Sequence, residues 1–244
     1  MLQKTKGIVL RSVKYGESSL ISTIFTSSFG IQSYMVQGVR STKVKNNRSG
    51  LLQAASLLDL VVYQRPQQNL QRIREFQPAY LYTSLQEEVV KNSIAMFSAE
   101  LLLRLLPEQA IMPELFDFAF DYLMQLDKMP LNSIANFPLY FIIRCSDLLG
   151  YSIKGEYSPE TMHLSLQEGG FTSHPPASRP FVSDEDSKAL AELLQTNQFS
   201  ELSRVNMNSD MRYRLIDWHI EFLHQHTQHL GKIKSLEVLQ TILH

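Results

Sequence analysis

The first 80 residues contain short runs in which apolar and polar positions alternate, and most runs end at a turn-forming residue. A period of two is typical of strands, because successive side chains point to opposite faces of a sheet. The pattern predicts five strands: Gly7–Tyr15, Leu20–Thr26, Ile31–Gly38, Leu57–Tyr63 and Leu70–Phe76. Five short strands in so few residues are typical of a small antiparallel barrel, whose closure removes exposed sheet edges.

Beyond Ser84 the apolar positions recur at helical spacing. The pattern predicts a first helix around residues 85–105 and a second that starts at Pro113-Glu114. It predicts three further helices, Asn132–Leu149, Ser183–Leu194 and Ser209–His226, and a short one at Lys234–Leu243. Between them, Tyr151–Val182 carries four prolines and three glycines, which predicts an irregular segment with one strand-like run, Met162–Leu166. The chain is therefore predicted to be α+β, with a barrel domain over 1–79 and a mostly helical domain over 80–244.

Composition narrows the class of protein. Hydrophobic residues make up 44% of the 244 residues and charged residues 19%, which is a globular composition with no apolar stretch long enough for a membrane helix. The start of the chain has no signal-peptide pattern, so we expect a cytoplasmic protein. The only cysteine, Cys145, excludes an intramolecular disulfide and a thiolate metal cluster. It falls among apolar residues of a predicted helix, where we expect a buried side chain rather than a nucleophile.

The net charge of −1 hides a strong asymmetry. Residues 1–75 hold 11 Lys and Arg against three Asp and Glu, a net charge of +8, whereas residues 76–244 hold 12 against 21, a net charge of −9. A basic barrel followed by an acidic helical region predicts two modules with different partners.

The basic module predicts a nucleic-acid surface, because phosphate attraction is collective and single strands also need flat side chains under their bases. The predicted cations lie near the end of the first strand, in the loop after the third and on the fifth, where alternate residues share a face: Arg11, Lys14, Arg40, Lys43, Lys45, Arg48, Arg72 and Arg74. The predicted aromatic contacts are Tyr15 and Tyr34. The sequence leaves open whether these rings stack on bases or pack in the core, and whether the loop cations are merely solvated.

An ordered set of short motifs resembles the RecO family of bacterial recombination mediators, over nearly the whole chain. The matching segments of the barrel are Gly7-Ile8-Val9-Leu10, Tyr15-Gly16-Glu17-Ser18, Phe25-Thr26 with Gly30, Gly38-Val39-Arg40, and Leu57-Leu58-Asp59-Leu60 with Tyr63. Those of the second domain are Leu148-Leu149-Gly150-Tyr151, Gly169-Gly170-Phe171, His226 and Lys234-Ser235-Leu236-Glu237-Val238-Leu239.

The resemblance implies an OB-fold barrel joined to a helical domain, in a protein without enzymatic activity. It implies binding of single- and double-stranded DNA and annealing of complementary strands. It also implies work with RecR, and in some members RecF, to load the recombinase RecA onto strands covered by single-strand-binding protein (SSB). Many relatives hold a zinc with four cysteines after the Leu-Gly-Tyr turn; this chain has no cysteine in Tyr151–Val182, so we expect a zinc-free insertion and no cofactor.

The acidic helical region predicts protein docking rather than DNA binding. The SSB tail is acidic with an apolar end, so a receptor needs an apolar groove with a cationic rim. Lys91, Arg104 and Arg144 are cations on otherwise apolar predicted helices and are candidates for that rim. Arg212 and Arg214, beside Trp218, form a second candidate patch, and the sequence does not choose between them.

Two other classes of function stay open. The first is a protein-only adaptor whose barrel binds acidic partner surfaces. The second is a metal-dependent hydrolase that uses histidines near the C-terminus: His219, His224, His226 and His229. No carboxylate is placed among these histidines as in known zinc hydrolases, and no glycine-rich phosphate loop is present, which disfavours enzymatic chemistry. Asp184, Glu185 and Asp186 are accounted for by a helix N-terminus.

Overall fold

The computed structural model describes residues 1–39, 48–65, 68–176, 180, 182–227 and 230–243, with the side chain of Arg48 left out. These residues form two compact units, Met1–Asp127 and Lys128–His244, called the barrel unit and the helical unit below. The predicted domains 1–79 and 80–244 stay predictions, because the two units reflect packing and not independent folding. None of the helices in the described ranges is long and apolar enough to cross a membrane.

The barrel unit begins with a closed barrel of five strands, as predicted. The strands are β1 (Leu2–Tyr15), β2 (Ser19–Thr26), β3 (Gly30–Val36), β4 (Leu57–Tyr63) and β5 (Leu70–Pro78). They follow the order β1-β2-β3-β5-β4, with β4 closing on β1. All neighbours are antiparallel except β3 and β5, whose short parallel pairing departs from the all-antiparallel prediction. This five-stranded closure is the OB-fold.

The barrel interior is filled by the alternate apolar residues of each strand, which explains why the alternation predicted the fold. Val9, Ile24, Leu60 and Val62 are nearly fully buried and belong to one core cluster. The absence of a side chain at Gly7 lets Ile24 of β2 pack closely against β1 in the barrel interior. A Cβ at this position would lie 2.7 Å from a methyl group of Ile24. A larger residue at this position would overpack the core.

Two helices of the barrel unit follow the strands: α1 (Val89–Leu105) and α2 (Pro113–Lys128). The turn between them lies against the start of β3, where the Gln109 N–H donates to the Ile31 carbonyl at 3.0 Å. Gly30 has a φ of +64°, and a Cβ there would lie 2.3 Å from the Ala110 carbonyl oxygen. Only glycine meets both requirements at this contact.

A buried carboxylate at the end of α2 holds the segment between barrel and α1. Asp127 is 2% exposed and accepts hydrogen bonds from the backbone N–H groups of Thr83, Ser84 and Leu85, at 2.7–3.1 Å, and from the Tyr80 hydroxyl at 3.0 Å. Burial alone would raise the pKa of this carboxyl. The backbone donors outweigh burial and hold its pKa well below the usual range.

The described residues of the helical unit form four helices and a small hairpin: α3 (Phe137–Leu148), α4 (Asp184–Leu194), α5 (Ser209–His226), α6 (Ser235–Ile242), β6 (His163–Ser165) and β7 (Gly170–Thr172). Short 3-10 turns span Arg48–Leu52 in the barrel unit and Leu131–Ser133 and Phe199–Arg204 in the helical unit. The predicted start of the third helix at Asn132 is wrong by five residues. Pro138 in the first turn of α3 explains the late start, because proline fits only there in a helix.

The segment Tyr151–Val182 is more ordered than predicted, since Gly170–Thr172 pairs with the predicted strand-like run. The backbone at Lys154 pairs with the hairpin as a third segment. The Lys154 N–H donates to the Gly169 carbonyl, and the Phe171 N–H donates to the Lys154 carbonyl, both at 2.9 Å. A Cβ at Gly170 would lie 2.0 Å from the Lys154 carbonyl oxygen. Glycine is therefore needed here because the backbones of the Lys154 segment and of the hairpin approach each other closely.

An ion pair between a buried carboxylate and a half-exposed arginine ties α4 to α5. The Arg214 guanidinium donates to both carboxylate oxygens of Asp186, at 2.8 Å each, and Asp186 is fully buried. Asp186 also completes a capping box with Ser183 at the start of α4, which confirms the interpretation of the acidic triplet as a helix N-terminus.

Candidate nucleic-acid interface

One row of outward-facing residues runs across all five strands of the barrel, from neighbour to neighbour. The paired residues, in order round the barrel, are Val13, Ile21, Met35, Arg72, Tyr63 and Leu2, called the exposed row below. Val13, Tyr63 and Leu2 are 39%, 38% and 40% exposed. The barrel thus presents apolar and aromatic surface to solvent, with one guanidinium in its middle.

The predicted cations of β1 lie on different sides of the strand. Arg11 and Tyr15 are exposed and share the outward side with Val13, and Arg11 pairs with Thr23 of β2. Lys14 is also exposed, but it pairs with the inward-facing Leu20 and so lies at the open end of the barrel. Arg11 and Tyr15 therefore extend the outward surface, whereas Lys14 does not.

The cations of β5 lie on the outward surface, as the alternation predicts. Arg72 and Arg74 are exposed, while Ile73 between them packs against the core. The pairing with β4 shifts by one residue here, because Val61 is opposite Glu75 and Val62 is opposite Ile73. This bulge leaves Arg74 and Glu75 both exposed, with 3.2 Å between the Arg74 Nε and a Glu75 carboxylate oxygen.

A cavity of about 370 Å³ opens beside the exposed row, and we call it the Tyr63 pocket. Among its lining residues are Met35, Tyr63, Arg72, Ile73, Arg74 and Phe76. Arg72 and Arg74 line it with guanidinium groups, Gln37 and Gly38 add polar and backbone surface, and the other lining residues are apolar or aromatic. The volume is within the range of small-ligand sites, about 300–1,000 Å³.

Tyr34 does not belong to this surface, so its predicted contact with bases is wrong. The side chain is fully buried in the barrel core, and its hydroxyl donates to the Gln32 side-chain oxygen at 2.8 Å. Burial raises the pKa of the phenol, which stays protonated as a donor. Position in the alternation explains the outcome, because Tyr34 lies between the outward-facing Ser33 and Met35.

The predicted basic loop cannot be placed on this surface. Arg40, Lys43 and Lys45 lie outside the described residues, as does the side chain of Arg48. Their part in DNA binding stays a prediction.

Of the predicted protein-binding cations, Lys91 is not accessible. It is 4% exposed, and its ammonium group donates to the Asp127 carbonyl at 2.6 Å and to the Ser84 hydroxyl at 2.7 Å. Lys91 therefore stabilises the barrel unit, and its proposed place on a rim is wrong. Arg104 and Arg144 are 40% exposed, and each lies near a carboxylate of its own helix, at 3.8 Å from Glu100 and 3.4 Å from Asp147.

The second candidate patch is also a structural contact. Arg214 forms the ion pair with Asp186, and the Arg212 guanidinium donates to the Met207 carbonyl at 2.5 Å. Trp218 is fully buried. These side chains stabilise the helical unit and do not form an open basic patch.

The C-terminal histidines do not come together among the described residues. His219 is buried, with its Nδ1 3.1 Å from the Leu215 carbonyl, while His224 and His226 are exposed and His229 lies outside the described ranges. Within those ranges no three His, Cys, Asp or Glu side chains could hold a metal ion together. Cys145 is a buried free thiol whose pKa burial raises, which confirms its interpretation as a small apolar residue.

Of the exposed row, sequence reasoning predicted only Arg72, and it missed Met35 and Tyr63 on either side of that residue. Both occupy outward positions of predicted strands, but only the pairing of β3 and β4 with β5 brings them to Arg72. The signal available in the sequence was the alternation around the buried Tyr34 and Val62. It gives the side of each strand but not its neighbours.

A closed five-stranded OB-fold barrel with exposed cations and aromatic residues defines the class of oligonucleotide-binding folds. Two family models match the chain: Recombination protein O N terminal over residues 1–82 and Recombination protein O C terminal over residues 86–237. The chain belongs to the RecO family. Among similar proteins are DNA repair protein RecO of Phocaeicola vulgatus and of Bacteroides fragilis, each 31% identical, and that of Azobacteroides pseudotrichonymphae, 29% identical; each match covers 99% of both chains.

Proposed function

We propose that this chain is a non-enzymatic DNA-binding recombination mediator that acts in DNA repair in the cytoplasm. It binds single- and double-stranded DNA, anneals complementary strands, and helps to load RecA onto SSB-coated single strands together with RecR. The observation that carries the proposal is the outward barrel surface of Arg11, Tyr15, Arg72 and Arg74 on an OB-fold, in a chain of the RecO family. The SSB tail and RecF are further proposed partners.

The charges of the barrel support phosphate binding. No carboxylate in the described part of the chain lies within ion-pair distance of Arg11, Lys14 or Arg72. Cations without a partner release the counterions of a nucleic acid at no cost in broken ion pairs, so they contribute directly to affinity. Neutralised phosphates repel each other less, which favours annealing.

A salt titration of single-strand binding by the full chain tests the proposal. The double variant Arg11→Glu/Arg72→Glu should weaken binding of all sequences alike and flatten the plot of log affinity against log salt. The matched control is Lys154→Glu/Lys188→Glu, which changes two exposed lysines of the helical unit. Unchanged affinity and salt slope in the barrel variant would contradict a DNA-binding barrel surface.

The loop cations need a separate variant. We expect Lys43→Glu/Lys45→Glu/Arg48→Glu to reduce affinity and salt slope as well, because these cations follow β3 in the sequence. If only the loop variant loses binding, phosphate contact belongs to the loop and not to the strands.

Bare oligonucleotides separate this proposal from a protein-only adaptor. A mediator accelerates annealing of complementary strands without any partner, and in the presence of RecR it speeds assembly of RecA on SSB-coated strands. An adaptor does neither on bare DNA. Intact strands after prolonged incubation with Mg²⁺ are expected of a protein that is not a nuclease.

A further inference from the structure

We propose that the Tyr63 pocket receives one unstacked base of a single strand, with Tyr63 and Met35 against the base and Arg72 and Arg74 facing its phosphates. This inference rests on the proposed function and names the chemical group that the barrel recognises. Phosphate attraction alone would give this surface similar affinity for single strands and duplex, and a base-binding site would favour single strands.

The composition of the exposed row favours a base over a phosphate alone. Tyr63 and Leu2 pair across strands and are 38% and 40% exposed, although burial of both would be the more stable arrangement for the isolated protein. Contiguous apolar surface in solvent is a common feature of interaction sites. A base offers a flat apolar face that fits against an aromatic ring and a thioether.

The pocket joins this apolar surface to positive charge. Arg72 pairs with Met35 on one side and with Tyr63 on the other, so its guanidinium lies in the middle of the exposed row. Arg74 also lines the cavity, and the only carboxylate paired with it in the described chain is the exposed Glu75. An exposed pair of this kind contributes little stability, so a phosphate can compete for Arg74.

The depth of the site gives it selectivity. The cavity of about 370 Å³ reaches Ile73 and Phe76, which pack in the barrel core. A base inside a duplex is stacked and paired, and its removal from the stack costs free energy. A single strand pays much less, so the pocket favours single strands while the cations bind either form.

An abasic strand tests the pocket on the unchanged protein. We expect an oligonucleotide of abasic sugar phosphates to bind roughly tenfold more weakly than a normal strand of the same length at the same salt, because base stacking is lost. The affinity for a duplex of the same length serves as the reference, because its stacked and paired bases do not enter the pocket. Equal affinity for the abasic and the normal strand would overturn the proposal.

Variants of Tyr63 locate the effect. Tyr63→Ala should lose roughly tenfold for the normal strand and almost nothing for the abasic strand or the duplex, while Tyr63→Phe retains wild-type values. The matched control is Leu81→Ala, which removes a side chain 71% exposed elsewhere in the barrel unit. Thermal unfolding of each variant reports whether the fold is kept.

The outcomes distinguish the pocket from the proposed function. If wild-type protein binds the normal strand and its salt slope is intact, but Tyr63→Ala matches it on every substrate, the pocket is wrong and the mediator function stands. If the wild-type chain binds no DNA, both fail. A loss in Tyr63→Ala that is equal for all three substrates would also overturn base binding, since it would show a general effect on the surface.

Discussion

Arg72 of the barrel and Arg214 of the helical unit show two opposite uses of the same side chain. Arg214 donates to a fully buried carboxylate, at 2.8 Å to each oxygen, and joins α4 to α5. Arg72 lies exposed between Met35 and Tyr63, with no carboxylate of the described chain beside it. The first arginine stabilises the fold, and the second is available to a ligand.

The same contrast separates the two halves of the charge distribution. Asp127 and Asp186 are buried acids whose pKa several donors hold down, whereas most of the described cations of the first 75 residues lie on β1 and β5. These two acids therefore stabilise the fold, whereas the strand cations without an ion pair among the described residues are the proposed contacts to DNA. Four predictions test how far this division holds, starting with the largest expected effect.

Loss of the buried carboxylate at the end of α2 should be the most damaging change. Asp127→Ala leaves the backbone N–H groups of Thr83, Ser84 and Leu85 and the Tyr80 hydroxyl without their acceptor, and we expect a loss of about 3–5 kcal/mol in the free energy of unfolding. Chemical denaturation measures it. Asp121→Ala, on the exposed side of the same helix, is the control and should cost less than about 0.5 kcal/mol. Similar losses in both variants would contradict the assigned role of Asp127.

The free energy of unfolding should decrease as the pH falls, because the buried imidazole of His219 resists protonation. Burial lowers the pKa of this imidazole to about 4, despite a hydrogen bond to the Leu215 carbonyl. The unfolded side chain binds a proton as the pH falls through about 6.5, but the folded one does not until about 4, so unfolding takes up a proton in this window. The cost at pH 4 is at most about 3 kcal/mol.

The pH effect is measured by denaturation at intervals between pH 7 and pH 4. His219→Gln should flatten the profile in that window, while the exposed His224→Gln on the same helix serves as control. Below pH 4 the paired carboxylates also lose their contribution, since the pKa of Asp186 is held down by Arg214 and Ser183 against the effect of burial. A profile of His219→Gln as steep as the wild type would show that another group titrates.

The two arginines give a direct test of the comparison. Arg214→Ala should lower the free energy of unfolding by about 2 kcal/mol, less than for a wholly buried pair because the arginine side chain is 43% exposed. Its affinity for DNA should not change. Arg72→Ala should show the reverse: an unchanged midpoint of unfolding and a lower affinity for single strands. Any DNA defect in Arg214→Ala without loss of stability would break the division.

The smallest effect concerns backbone strain in the turn before α2. Gln109 has a φ of +60°, a conformation that costs a side chain about 1–2 kcal/mol relative to glycine. Gln109→Gly should therefore stabilise the barrel unit by about 0.5–1 kcal/mol, after the entropy that glycine gains in the unfolded chain. Thermal unfolding measures it, with Glu108→Gly as the control that has no such strain to relieve.

Much of the fold followed from local pattern alone. Leu57–Tyr63 and Ser209–His226 have the predicted bounds, because alternation and helical spacing are both set by which residues must be buried. The predicted start of β1 at Gly7 is wrong by five residues, because the polar Lys4 and Lys6 precede the apolar run and the strand begins at Leu2. The hairpin partner Gly170–Thr172 was missed because three residues carry too little periodicity.

The sequence by itself determined the strands and helices, the basic and acidic halves, and which side of β5 carries Arg72 and Arg74. Only the tertiary structure decided that Tyr34 is core, that Lys91 is buried against Asp127, and that Met35 and Tyr63 are the neighbours of Arg72. The physical reason is that burial and strand pairing join residues far apart in the chain. A local pattern reports the side on which a residue lies, but not what lies beside it.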